Sequence, residues 1–234
     1  MAFVQLVRQI TLADWLALLW FVAAWWGYAV FARRRAAAGG SLLATTNSFR
    51  RLWMMQTTLR ENRVIDGVVV QNLSTSPSFF ASTTILIIGG LLAVLGATEE
   101  AAKIVEELPF TSRTTALVFD LKVFVLTAVF VYAFFRFTWS MRQYTFGALM
   151  IASAPDAKEF AIGAASREEF ADRAGRVVGL AAETFNDGLR AYYMAFAVIL
   201  WFFSAIAFAI GTAGIVYLLY QREFQSEVLN VLRH

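Results

Sequence analysis

Four long apolar stretches alternate along the chain with segments that are rich in charged residues. A helix needs about 20 mostly apolar residues to cross a hydrocarbon core about 30 Å thick, and each stretch meets that length. The predicted spans cover about residues 12–32, 78–97, 115–136 and 191–220. The pattern therefore predicts an all-α polytopic membrane protein with four transmembrane helices, organised as one membrane domain over residues 1–234.

Two connections between the spans are too long and too regularly patterned to be simple loops. The first covers about residues 47–73, within which residues 49–66 place apolar side chains on one helical face and Arg50 and Arg51 on the other, which is typical of an amphipathic helix. Residues 166–190 begin with Ser166 and Glu169, the S-x-x-E pattern of a helix capping box. No proline separates this segment from the fourth span, so we expect its helix to continue into the membrane with Gly188 as the place for a bend. We expect the two segments to pack together as cytoplasmic helices.

Arginine and lysine are distributed unevenly between the two ends of the spans. Segments 33–66 and 136–190 contain seven basic residues each, whereas the segments on the other side contain only five. Basic residues are enriched in cytoplasmic loops, so both long connections are predicted to be cytoplasmic. We therefore expect a multi-pass protein of the bacterial inner membrane whose N and C termini are both periplasmic.

Composition limits the chemistry that this chain can carry out. Hydrophobic residues make up 59% of the sequence and charged residues 16%, a balance unlike that of soluble domains. There is no cysteine, and the only histidine is His234, which excludes disulfides, thiolate metal sites and histidine-based acid–base catalysis. Phosphate-binding loops and nucleic-acid motifs are also absent from the sequence. We expect no enzymatic activity, no cofactor, no metal site and no nucleic-acid partner.

Polar side chains within or beside the spans are the first functional candidates, because a charge at the bilayer centre costs at least about 2.5 kcal/mol. The candidates for a pore or polar path are Ser78, Ser82, Thr83, Thr84, Asp120 and Lys122. Asp120 and Lys122 are spaced i,i+2, which directs them to different partners. The alternative interpretation places Asp120 and Lys122 at the membrane interface and uses the hydroxyl groups to join neighbouring helices.

A second candidate is a charge cluster in the first cytoplasmic segment, which consists of Arg60, Glu61, Arg63 and Asp66. When residues 49–66 are drawn as one helix, three of these four charges fall within its apolar face. Buried charges are tolerated mainly when they are paired, and the i,i+3 spacing of Arg63 and Asp66 permits an ion pair. The cluster therefore either binds a partner or is satisfied internally.

Several strings in the sequence resemble one family of membrane proteins. These strings are Arg60-Glu61-Asn62-Arg63, the run from Ser78 to Leu91, Phe119-Asp120-Leu121-Lys122, and the run from Phe134 to Ser140. They are similar to the bacterial and plant membrane family catalogued as domain of unknown function 599, and the resemblance covers about residues 12–220. That family has no assigned activity, so the resemblance implies no role for individual residues.

Three functions are compatible with the sequence. The first is a homo-oligomeric channel or carrier for a small ion or solute, because four spans are few to enclose a pore within one chain. The second is a non-catalytic accessory or assembly protein that binds other membrane complexes through Arg60 and Arg63. The third, disfavoured by the composition, is an intramembrane enzyme that acts on lipid through Asp120, Glu61 or Asp66. The expected partners are the lipid bilayer, further copies of the chain and, in the second case, another membrane protein.

Overall fold

The computed structural model describes residues 10–37, 39–106 and 115–233. Within these residues, helices are the only regular secondary structure, which confirms the all-α prediction. The helices are α1 (Leu12–Ala37), α2 (Leu42–Thr57), α3 (Val64–Gly96), α4 (Thr98–Glu106), α5 (Ala116–Ala152), α6 (Ala157–Ala161), α7 (Arg167–Leu200), α8 (Ala205–Phe224) and α9 (Glu227–Arg233).

Four helical stretches are long and apolar enough to cross a membrane, which confirms the predicted number. They are Leu12–Ala36, Val64–Gly96, Ala116–Ala152 and Ala205–Arg233. Helices α3 and α5 contain 33 and 37 residues. At 1.5 Å per residue they are about 50 and 55 Å long, well beyond the hydrocarbon thickness. The second span was expected to begin after Pro77, but α3 passes through this proline, because one lost backbone hydrogen bond does not end a helix of this length.

The described helices form two compact units, each built from three separate stretches of chain. Unit 1 comprises Met1–Arg34, Thr83–Ala133 and Leu189–Arg222, and unit 2 comprises Arg35–Ser82, Phe134–Gly188 and Glu223–His234. Helices α3, α5 and α7 each contribute one part to each unit. The boundaries therefore fall within helices, and no linker in the sequence marks them.

In unit 1, α1 and α8 are parallel neighbours. The indole N–H of Trp20 donates to the carbonyl oxygen of Ala209 at 3.2 Å. About three turns further along both helices, the ring centroids of Phe31 and Tyr220 are 6.1 Å apart. The residue numbers increase in the same direction on both helices, so the two helices run the same way.

The structure divides the predicted fourth span, residues 191–220, into two helices. Helix α7 ends at Leu200, and α8 starts a new helix in which the hydroxyl of Ser204 accepts the backbone N–H of Ala207 at 3.0 Å. This bond is an N-cap, which satisfies one of the free donors at a helix start. Gly211 of α8 packs against Leu200, and a Cβ at Gly211 would collide with it. The prediction of one continuous span was wrong. The turn at residues 201–204 contains neither a proline nor a glycine, so the sequence carries no signal for a break there.

This division fixes the relative direction of α1 and α8. Because α1 and α8 are parallel, the start of α1 and the end of α8 lie at opposite ends of unit 1. We call the end with Asp14 and Trp201 the acidic end, and the end with Arg190 and Arg222 the arginine end. The expectation that both termini are periplasmic relied on a single continuous last span and stays a prediction.

In unit 2, α2 packs antiparallel against α7 through two glycines. A Cβ at Gly175 would lie 2.9 Å from the Cα of Arg51, and a Cβ at Gly179 would lie 3.0 Å from Oδ1 of Asn47. Glycine at both positions lets the two backbones approach closely. The predicted packing of the two amphipathic segments is therefore confirmed. Helix α9 also packs on α2, and its Leu229 is buried.

The first amphipathic segment is interrupted, whereas the second is continuous as predicted. Helix α2 ends at Thr57, and α3 begins after Asn62, whose side-chain oxygen accepts the backbone N–H of Val64 at 2.9 Å. The projection of residues 49–66 on one helix was therefore wrong. In the second segment, the hydroxyl of Ser166 accepts the N–H of Glu169 at 3.2 Å, which confirms the predicted start of α7.

Helix α7 continues without interruption through Gly188, which was expected to allow a bend. The reason for glycine at this position is the ring of Phe137 on α5. A Cβ at Gly188 would lie 2.5 Å from Cε1 of Phe137. Gly188 therefore permits close helix packing in unit 2.

Candidate functional site

Lys122 is the most deeply buried charged side chain among the described residues of unit 1, with 2% of its surface exposed. Its ammonium nitrogen lies 5.8 Å from the ring centroids of both Trp201 and Phe202. Among the described residues, no carboxylate lies within the 4.0 Å of an ion pair with it. The indole N–H of Trp201 donates to Asp14 at 2.7 Å, so this indole contacts both the cation and a carboxylate. Lys122 is thus a buried cation held between aromatic faces.

Asp120 has a different partner from Lys122, in agreement with their i,i+2 spacing. The hydroxyl of Thr98 donates to Oδ1 of Asp120 at 2.7 Å. Asp120 is partly exposed. Both charged candidates on α5 therefore lie at the acidic end of unit 1, but they are not an ion pair.

The predicted hydroxyl cluster does not share one environment. Thr84 is fully buried in unit 1, where its hydroxyl is hydrogen-bonded to that of Tyr192 at 2.7 Å. Thr83 in unit 1 is half-buried, whereas in unit 2 Ser82 is exposed and Ser78 is half-buried. At Thr84 the structure agrees with the alternative interpretation, in which a hydroxyl joins two helices.

An apolar stretch follows Lys122 along the buried face of α5 in unit 1. This stretch contains Leu126, Val129 and Ala133, whose exposed fractions are 7%, 4% and 0%. Thr127 is the buried polar residue of this part of α5, and its hydroxyl donates to the backbone carbonyl oxygen of Val123 at 2.8 Å.

The charge cluster of the first segment is held internally in unit 2. Asp66 has no exposed surface, and its Oδ1 accepts hydrogen bonds from the indole of Trp53 at 2.7 Å and the hydroxyl of Thr57 at 3.2 Å. Arg60 donates to the same oxygen and forms an ion pair with it. The other carboxylate oxygen, Oδ2, is buried and has no partner among the described residues. Glu61 is exposed.

The suggested Arg63–Asp66 pair is wrong, because Arg60 is the cation that pairs with Asp66. Arg63 instead donates to two backbone carbonyl groups that follow α5, those of Ala154 at 2.8 Å and of Pro155. The break in the helix between Thr57 and Val64 turns the two arginines in different directions. Arg63 thus joins the α2–α3 connection to the α5–α6 connection.

A second polar group in unit 2 was missed by sequence reasoning. Arg50 donates to the side chains of Thr46 and Asn47 at 3.0 and 2.8 Å, and burial lowers the pKa of its guanidinium. Asn47 in turn donates to Glu183 of α7 at 3.2 Å, and Arg176 donates to the same carboxylate at 3.1 Å. The spacing of residues 46, 47 and 50 indicates one helical face, but the sequence alone does not identify α7 as its neighbour.

Beside this group, a surface groove of about 160 Å³ lies between α2 and α7. It is lined by Asn47, Arg51, Asp172, Gly175, Arg176 and Gly179. Arg51 and Asp172 form an exposed ion pair across it, and the hydrogen bond that Arg51 donates to the Asp172 carboxylate raises the pKa of Arg51. The groove therefore presents both signs of charge on an exposed surface.

The described residues contain no group of three or more histidine, cysteine, aspartate or glutamate side chains that could hold a metal ion. A search of curated proteins and a search of solved structures each found no significant match. One family of sequences does match, over residues 16–228, and its description is "Protein of unknown function, DUF599". This match confirms the resemblance that the strings around Arg60, Ser78 and Asp120 indicated. The chain belongs to that family of proteins of unknown function.

Proposed function

We propose that this protein is a homo-oligomeric channel or carrier for a small ion or solute, in which Lys122 is the charged group of the path. The observation that carries the proposal is the burial of Lys122 between Trp201 and Phe202. At the bilayer centre an ionisable residue costs about 2.5–3.5 kcal/mol even on the most lenient scale, and ionisable residues within membrane helices are commonly retained for function. A fixed positive charge favours anions over cations.

The apolar stretch after Lys122 supports an assembly of several copies rather than a path through one chain. Helix α3 offers a surface for a second copy, since only 11% of its most apolar 18-residue segment is buried within the chain. Gly89 and Gly90 have open space where a Cβ would be. Small residues allow two membrane helices to approach closely, which suits α3 to contacts between subunits.

The proposed location is the bacterial inner membrane, with the arginine end of unit 1 facing the cytoplasm. The parallel arrangement of α1 and α8 places Arg222 at this end of unit 1, together with Arg33, Arg34 and Arg190. The positive-inside rule then favours a periplasmic N terminus and a cytoplasmic C terminus. Green fluorescent protein fused to the C terminus would fluoresce in this orientation, whereas alkaline phosphatase fused there would be inactive. The reverse pair of results would overturn the orientation.

Anion flux into liposomes that contain the purified protein tests the proposed activity. We expect flux with the native chain, a loss of at least tenfold with Lys122→Met, which removes the charge but retains the length, and partial flux with Lys122→Arg. A matched control is Arg173→Gln, which removes an exposed charge from unit 2. Flux by the native protein that is equal to protein-free liposomes would refute the proposal.

The groove between α2 and α7 favours a second candidate, a non-catalytic accessory protein that binds another protein. Its exposed charges, Arg51, Asp172 and Arg176, could pair with charges of a partner. In this case a second polypeptide would co-purify with the native chain in constant ratio and would be lost from an Arg51→Glu/Arg176→Glu variant. Purification of the native chain as a partner-free oligomer would exclude this candidate.

A further inference from the structure

Helix α3 has an exposed stripe whose positions are spaced alternately by three and four residues. In unit 2 the stripe consists of Ile65, Val68, Asn72, Thr75, Phe79 and Ser82, and all six are exposed within the chain. This spacing is the heptad pattern of a coiled coil, in which Ile65, Asn72 and Phe79 occupy the a positions and the other three residues occupy the d positions. The structure adds that the chain itself leaves this side of the helix uncovered.

The residues of α3 that are buried in unit 2 lie on the other side of the helix. Val70 and Pro77 are buried, and each follows a residue of the stripe by two positions. Two residues correspond to about 200° around an α-helix, so Val70 and Pro77 point away from Val68 and Thr75. The stripe therefore faces outward from unit 2.

The chemistry of the stripe suits another helix better than water or lipid. Val68 and Phe79 are 53% and 64% exposed, and apolar surface of this kind is unfavourable in water. Asn72 lies between them, and an amide without a hydrogen-bond partner is costly among acyl chains. The sequence has no charged residue from position 67 to 98, whereas α7 exposes charged side chains in the same unit. A second helix with matching amide and apolar positions satisfies both groups.

The length of the stripe points to a second copy of α3 as the occupant. Helix α3 has 33 residues and is about 50 Å long, so a partner needs an uncharged helix of similar length and spacing. Copies of one membrane protein insert in the same orientation, so their α3 helices are parallel and identical positions can meet. In unit 1 the spacing continues through Leu86, Gly89 and Ala93, which are exposed. Gly89 has open space where a Cβ would be, which allows close approach of a second helix.

We propose that the α3 helices of neighbouring copies form a parallel coiled coil, in which their Asn72 side chains meet and fix the register. A single asparagine at an a position specifies both the register and the number of helices in a coiled coil. A seven-residue repeat is slightly shorter than two ideal helical turns, so the helices coil around each other with a left-handed twist. The inference rests on the homo-oligomer of the proposed function, but it does not depend on conduction.

Cysteine cross-linking tests the pairing directly, because the native chain contains no cysteine. Thr75→Cys places a thiol on the stripe, and Ser76→Cys is the matched control, an exposed hydroxyl residue one position off the stripe. A disulfide requires two Cα atoms within about 7 Å, which the d positions of a parallel pair satisfy. With the full-length protein in isolated membranes, oxidised with copper phenanthroline, we expect Thr75→Cys to form linked dimers at least about fivefold faster than Ser76→Cys. Two differently tagged copies, expressed together, show whether both linked chains are this protein.

The role of Asn72 is tested in the Thr75→Cys background. Asn72→Asp places like charges opposite each other, which should slow the cross-linking about tenfold. Gln71→Glu makes the same change from amide to carboxylate one position off the stripe, and cross-linking should persist. Both residues are exposed, so neither substitution disturbs the interior of unit 2.

Three results would overturn the pairing. The first is equal cross-linking of Thr75→Cys and Ser76→Cys, including none in either. The second is a cross-link from Thr75→Cys to a different polypeptide instead of the tagged copy. The third is an equal effect of Asn72→Asp and Gln71→Glu. Flux into liposomes separates this inference from the proposed function, because flux without the cross-linking pattern refutes only the pairing, and the pattern without flux supports the pairing and refutes conduction.

Discussion

Replacement of Gly188 by alanine tests the packing of α5 against α7 in unit 2. The new Cβ would lie 2.5, 2.8 and 3.0 Å from three ring atoms of Phe137, about 1 Å closer than an ordinary carbon contact at the shortest distance. Phe137 has no exposed surface, and its ring packs against those of Phe80 and Phe185, which also contact each other, so it cannot move away freely. Overpacking costs up to about 3 kcal/mol, and alanine returns about 1 kcal/mol of helix propensity. We expect a net loss of about 2 kcal/mol.

Thermal unfolding of the purified protein measures this loss. For a chain of this size, about 2 kcal/mol corresponds to a decrease in Tm of about 4–8 °C. The matched control is Gly67→Ala in α3, where nothing lies within 4 Å of the new Cβ and the Tm is expected to stay constant or to increase. Adding Phe137→Leu to Gly188→Ala should restore part of the loss, as a double-mutant cycle would quantify. A Gly188→Ala variant as stable as Gly67→Ala would refute this account of the packing.

Three further substitutions test other contacts in unit 2. Asp66→Ala removes a buried acceptor of three hydrogen bonds and should cost about 3 kcal/mol in unfolding free energy, whereas the exposed neighbour Glu61→Ala should change it by no more than about 0.5 kcal/mol. Equal stability of these two variants would contradict the role of Asp66. Ser41→Ala removes the side-chain N-cap of α2, worth about 1 kcal/mol, and should speed hydrogen exchange in its first turn. Unchanged exchange there would count against the cap. Arg51→Gln breaks the exposed pair with Asp172 and should cost less than about 1 kcal/mol, so a loss above about 2 kcal/mol in thermal unfolding would be inconsistent with its exposure.

Hydropathy predicted the helical class and the four apolar stretches because those features depend on composition over about 20 residues. Local side-chain signals were also sufficient for the start of α7, where Ser166 caps the helix as its spacing from Glu169 indicated. The reversal at Ser204 was missed because the residues around it are apolar and aromatic. The turn there is stabilised by the N-cap bond of Ser204, which is local, and by a tertiary hydrogen bond from the Trp201 indole to Asp14.

Only part of the candidate site could be predicted from the sequence. Charge and hydropathy were sufficient to select Lys122, but its aromatic neighbours Trp201 and Phe202 come from the turn between α7 and α8, about 80 residues away in the sequence. The choice of Arg60 rather than Arg63 as the partner of Asp66 depends on the break between α2 and α3. A single-helix projection cannot show that break, because it assumes a continuous backbone.

The mass and architecture of the solubilised protein, obtained by native mass spectrometry followed by electron cryo-microscopy, test the central claim most directly. We expect a ring of identical subunits that contact each other through α3, with Lys122 beside a water-filled opening. A monomer, or a stable complex with a second polypeptide, would contradict the proposal of a homo-oligomeric channel or carrier.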